Sequence, residues 1–142
     1  MTLATGVFGK GATVILVAWS RFQEGGTVIL GQSVIAPTGG ATYYTPWMPR
    51  QGDAFTQVVE FMRSSGALSM TCLVQTKNNE DSDASATNLG AAFAVSTASP
   101  GDVTTANRSG ALELVRCELT VTGTSATRWV HFRSNPPIWQ PN

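Results

Sequence analysis

Charge is scarce in this sequence. Asp, Glu, Lys and Arg make up 13% of its 142 residues, about half the usual share, and nine basic residues cancel nine acidic ones. A chain so balanced is not built to hold a polyanion, which demands a surplus of basic residues on one face, so no nucleic-acid partner is expected. Little like-charge repulsion is left to keep copies apart, and much of the surface is expected to be Thr, Ser, Asn and Gly or to be covered by another chain. Long apolar runs are missing as well. The longest, residues 14–19, is far short of the roughly 20 residues that span a bilayer as a helix, so no membrane partner is expected. No basic segment precedes that run, and Ser20, Arg21, Phe22 and Gln23 after it form no small-residue cleavage site, which argues against export. Cys72 and Cys117 are too few for a disulfide framework and lack metal-ligand spacing. They read as buried reduced thiols or as one bridge between two strands.

What the chain has instead is a period of two. Runs rich in Val, Thr, Ile, Phe and Trp are separated by Gly, Pro, Asn and Ser clusters, the pattern of an all-β protein. Over residues 68–76, Leu68, Met70, Cys72 and Val74 share one face and Ser69, Thr71 and Gln75 the other. Phe55, Val59 and Phe61 share a face upstream, and Ser64, Ser65 and Gly66 supply a turn, predicting a hairpin. Residues 111–122 change parity along their length, predicting a β-bulge near Leu114, and Gly123, Thr124 and Ser125 then turn the chain into a second hairpin with residues 128–132. A third is predicted from residues 13–22 and 27–35 around Gln23, Glu24, Gly25 and Gly26. Hairpins at this spacing predict one domain over residues 1–142, an antiparallel β-sandwich or small β-barrel, with a flexible N-terminal arm over about residues 1–12. Residues 36–53 read as a long loop bearing Tyr43, Tyr44 and Trp47, residues 77–88 as an exposed, mobile polar loop, and residues 89–95 as a strand. The Pro-rich tail, residues 134–142, either docks on its own domain or inserts into a neighbour.

Catalytic chemistry finds no anchor, so neither enzyme activity nor a cofactor is expected. The stretch from Gly6 to Thr13 has the glycines of a phosphate loop, but Gly11 and Ala12 separate Lys10 from Thr13 and β-branched residues follow where a helix is required. His131 is the single imidazole; on a strand it shares a face with Trp129 and Arg133, and nothing in sequence sets a nucleophile beside it, so it reads as a surface or interface histidine. Glu80, Asp81 and Asp83 could offer oxygen ligands to a cation, yet lack the spacing of a calcium loop and read as a solvated acidic tip. The Asn107-Arg108-Ser109 sequon is taken as coincidence in a chain without an export signal.

Aromatics beside arginines are the more informative signal, since that pairing marks protein contacts, while flat exposed rings on a sandwich can instead stack on sugars. The segments Thr45-Pro-Trp-Met-Pro-Arg-Gln-Gly52 and Trp129-Val-His-Phe-Arg-Ser-Asn-Pro-Pro-Ile-Trp139, with few charges and abundant Thr, Ala and Gly along most of the chain, resemble accessory structural proteins of tailed bacteriophages. Resemblance to their head decoration or cement proteins implies a capsid-surface protein of the virion, made in the host cytoplasm, that clusters as a trimer over junctions between major capsid subunits. It supplies no motif from which a functional residue transfers. The expected anchors are Tyr43, Tyr44, Trp47, Ile138 and Trp139 as apolar contacts and Arg50, Arg128 and Arg133 as polar ones. The alternative is a carbohydrate-binding β-sandwich of a phage tail or receptor-binding structure, using Trp47 or Tyr43 as a stacking platform.

Overall fold

The computed structural model describes residues 20–24 and 27–140, with side chains from residue 33 onward. The arm expected over residues 1–12, the expected strand before Ser20, and Trp19 lie outside the described residues. The strands are β1 (Ser20–Glu24), β2 (Thr27–Ile35), β3 (Ala41–Tyr44), β4 (Met48–Pro49), β5 (Ala54–Ser64), β6 (Leu68–Lys77), β7 (Thr87–Asn88), β8 (Phe93–Val95), β9 (Val103–Ser109), β10 (Leu114–Gly123), β11 (Trp129–Ser134) and β12 (Ile138–Trp139). A single 3-10 turn, Asp83–Ser85, is the only helical element among the described residues.

All pairings are antiparallel and build two sheets. The first runs β1-β2-β11-β5-β9, with β12 continuing beside β5 where β11 stops. In the second, β10 and β6 are central, β3 and β4 lie end to end along β10, and β7 and β8 along β6. No ladder joins the sheets among the described residues, so the architecture is a sandwich rather than a barrel. Strict alternation explains why the sheets stack: Val115, Cys117, Leu119 and Val121 of β10 turn inward with Met70, Cys72 and Val74 of β6, opposing Phe55, Val59 and Phe61 of β5 and Val130 and Phe132 of β11. Each Val, Leu or Phe withdrawn from water in this way contributes roughly 1.5–3 kcal/mol.

Two of the expected hairpins are arches instead. β5 and β6 belong to different sheets, as do β10 and β11, so the short turns at residues 65–67 and 124–128 carry the chain across the sandwich. The third expected hairpin does form, with Ser20 opposite Gly31 and Glu24 opposite Thr27. Arg128 ties the two arches together, Nη1 donating to Ser65 O at 2.5 Å and Nε to Thr124 Oγ1 at 3.2 Å. Gly123 is required where they meet, because a Cβ there would stand 1.9 Å from Ala36 O. The bulge expected near Leu114 is also displaced. β10 pairs with β6 without interruption from Leu114 to Gly123, the parity change upstream belonging to the loop that holds exposed Leu112. The register shift falls between His131 and Phe132 of β11, where Arg63 and Phe61 are the partners and Met62 is the extra residue.

The tail docks on its own domain. Ser134 completes β11, and Ile138 and Trp139 pair with Thr56 and Phe55. Gln57, fully buried by the same parity that buries Phe55 and Val59, secures the crossing, its Nε2 donating to Asn135 O at 2.8 Å and Ser134 Oγ at 3.3 Å.

Candidate interaction surfaces

Alternation that turns Cys117 inward turns Arg116 outward, and pairing of Tyr44 with Glu118 sets Tyr44 beside it. The loop after β3 brings Trp47 to the same spot. The Arg116 guanidinium lies 4.2 Å from the Tyr44 ring centroid and 4.4 Å from that of Trp47, while Lys77 Nζ stands 5.0 Å from the Trp47 centroid. Asp83, delivered by the 3-10 turn, ties the group together: Oδ2 accepts from Arg116 Nη1 at 2.9 Å, and Oδ1 accepts from Lys77 Nζ and Trp47 Nε1, each at 2.9 Å. Arg116 Nε also donates to Gln75 Oε1 at 2.9 Å. The cations are largely withdrawn from water, their side chains 9% (Lys77) and 11% (Arg116) exposed, whereas that of Asp83 is 60% exposed. Hydrogen bonding from Lys77 holds the Asp83 carboxyl below the usual carboxylate range, opposed by some desolvation and reinforced by Trp47 and Arg116.

These contacts change the reading of residues 77–88. The segment expected to be mobile is pinned at several points: Lys77 Nζ donates to Asp81 O at 2.7 Å, the Asp81 carboxylate accepts from Asn78 N at 3.0 Å, Glu113 accepts from Asn79 N at 2.8 Å, and Asp83 closes on the stack. The carboxylates of Asp81 and Asp83 thus face N–H donors and cations, and no group of three metal-ligating side chains occurs among the described residues.

The outer face of the first sheet has a different character. Trp129, His131 and Arg133 project from β11, opposite buried Val130 and Phe132. His131 Nδ1 lies 2.6 Å from Ser33 Oγ, its direct cross-strand partner, and Arg133 Nη1 lies 3.6 Å from Glu60 Oε2. Across the same face Val103 and Ile138 are left 58% and 56% exposed, with Trp129 also exposed.

The eight expected anchors therefore do not form one patch. Tyr44 and Trp47 meet on the second sheet, and Arg133 and Ile138 lie on the first. Tyr43 points inward and donates to Ile35 O at 2.8 Å; burial raises its phenol pKa, partly offset by that bond. Trp139 also faces in, its ring centroid 4.7 Å from that of Phe55. Arg50 is a rim strap, donating to Gly52 O at 2.9 Å and Ala111 O at 3.0 Å and pairing with Asp53, and Arg128 is the arch tie. Sequence reasoning missed Arg116, Lys77 and Ser33, and read Asp83 as part of a solvated acidic tip rather than as the partner of two cations. Parity alone marks Arg116 as outward, but its aromatic neighbours arrive only through strand pairing. Cys72 and Cys117 are free thiols in the core, on inward-facing neighbouring positions of β6 and β10. A hydrogen bond with Cys117, together with burial, pushes the Cys72 thiol far up from its ordinary pKa. No protein-family model and no curated protein matches this chain.

Proposed function

We propose that this chain is a non-enzymatic structural protein of a phage virion, a decoration or cement protein that sits on the capsid surface as a trimer and bridges major capsid subunits after synthesis in the host cytoplasm. The observation that carries the reading is the outer face of the first sheet, where Trp129, Val103 and Ile138 are exposed on one surface with Arg63 and Arg133 among them. Exposed aromatic and aliphatic side chains interleaved with arginine have the composition of protein interfaces. A cement protein acts by binding alone, spreading contact over several subunits and linking its own affinity to the stability of the shell. A net charge of zero suits a dense surface lattice, where like-charged neighbours would repel.

The carbohydrate alternative asks for an open ring face, and two cations stand over the Trp47 ring, which favours the structural reading. Light scattering across a concentration series, followed by sedimentation with purified undecorated head shells, tests the proposal. The expected result is a trimer that co-sediments with shells and raises their melting temperature, with both effects reduced in Ile138→Asp. Wild-type shell binding by Ile138→Asp and Trp129→Ala together would remove the proposed face from the interaction, and failure of the wild-type protein to bind shells would overturn the function.

A further inference from the structure

On one side of the sandwich the edge strand β9 faces the connection between β7 and β8, and Arg108 spans the gap between the sheets. Alternation turns it inward, opposite Phe55 in the β5–β9 ladder, and its guanidinium lies 5.4 Å from the Phe93 ring centroid. Nη1 donates to Asn107 O at 2.8 Å and Nη2 to Ala91 O at 2.7 Å, while Nε is sealed from solvent with no acceptor. Gly90, at φ +83°, permits the close approach, since a Cβ there would lie 3.3 Å from Nε.

Charge balance separates this arginine from most of the other strapped cations. Arg50, Lys77, Arg116 and Arg133 each have a carboxylate within ion-pair distance; among the described residues Arg108, like the arch tie Arg128, has none. Two carbonyl dipoles do not neutralise the full charge of this partly exposed guanidinium, and an anion would supply the missing counter-charge. Beside it opens a cleft of about 430 Å³, with Ala54 and Leu89 as apolar lining and Asn107 and Ser109 as polar lining.

We propose that this cleft binds a carboxylate carried on a small apolar stem, Arg108 meeting the carboxylate and Ala54 and Leu89 receiving the stem. A single arginine suits a monoanion; a phosphate dianion calls for a second cation, and no other Lys or Arg lines the cleft. A free organic acid and the C-terminal carboxylate of a peptide share this chemistry, and the test distinguishes them.

Isotope-labelled protein followed by amide NMR is titrated with benzoate, with uncharged benzamide, and with a short peptide ending in phenylalanine as free acid and as amide. Saturable shifts at Gly90, Asn107 and Ser109 are expected with the acids and not with benzamide or the peptide amide. A peptide acid binding more tightly than benzoate assigns the site to chain termini; benzoate binding alone assigns it to free acids. Arg108→Gln is expected to weaken binding by roughly tenfold or more while the amides of β6 and β10 keep their positions. Should that variant fail to fold, Ser109→Glu, at an exposed position, places a competing carboxylate in the cleft and is expected to lose benzoate binding. Non-saturating shifts, an equal response to benzoate and benzamide, or undiminished binding in either folded variant overturns the proposal.

Discussion

Replacing Asp83 by Asn isolates the electrostatic contribution of the aromatic–cation stack, because shape is retained and one charge is removed. Asn Oδ1 can still accept from Lys77 and Trp47, but its amide group then faces the Arg116 guanidinium at the position where Oδ2 accepts a 2.9 Å bond. A hydrogen bond to a charged group is worth about 1.5–3 kcal/mol, and the exposure of the Asp83 side chain pulls the value toward the low end. Lys77 and Arg116 are themselves mostly withdrawn from water and lose their counter-charge, so a destabilisation of about 1.5 kcal/mol is expected near neutral pH. For a chain of this length that corresponds to a fall in Tm of roughly 5 °C. The pH dependence has a defined sign. Since the folded-state pKa of Asp83 is depressed, its stabilising contribution is complete above the ordinary carboxylate range and is lost as pH falls through the folded value. Urea unfolding of wild type and Asp83→Asn at neutral pH and at progressively lower pH is the assay. The two stabilities are expected to converge in acid; a difference that is absent at neutral pH, or that persists undiminished after the carboxylate is protonated, would refute the reasoning.

Three further outcomes follow from the packing. Trp139→Ala removes a ring packed on Phe55 and is expected to cost about 3 kcal/mol in chemical denaturation, whereas Ile138→Asp changes stability by no more than about 0.5 kcal/mol. Gly123→Ala sets a methyl against the Ala36 carbonyl and is expected to cost on the order of 3 kcal/mol, read as a lowered Tm, while Gly39→Ala, with open space around it, does not. Cys72 and Cys117 are expected to resist a thiol-reactive dye in the native protein and to react in denaturant, since both are buried and the Cys72 thiolate is strongly disfavoured; rapid native labelling contradicts this packing.

Strand faces were legible because each depends only on neighbours two residues apart: Met70, Cys72 and Val74, or Val130 and Phe132, declare their side without reference to the rest of the chain. Partners were not. Ser64-Ser65-Gly66 and Gly123-Thr124-Ser125 carry turn chemistry that serves a hairpin and an arch equally, and the choice is made by distant strands: β11 takes the place beside β5, and β10 the place beside β6. The candidate surfaces failed in sequence for the same reason. Trp47 was visible as an aromatic in a loop, but the cations over it come from β6 and β10, and Asp83 from a turn that looked merely hydrophilic. Trp139 was read among the anchors because a Pro-rich tail gives no sign of its destination; buried Gln57 and Phe55, far upstream, receive it.

The arches also impose an order on synthesis. A nascent chain that has emerged only through β9 holds β2 and β5 with an empty place between them, and β3 and β6 likewise, since β11 and β10 are the strands that fill those places. The early strands therefore wait, with apolar faces and ladder edges uncovered, until β10 and β11 leave the ribosome. A chain cut before β10 retains the β1–β2 hairpin and the β5–β9 ladder but neither complete sheet, and is expected to be captured by chaperones or to aggregate rather than to persist as a smaller domain.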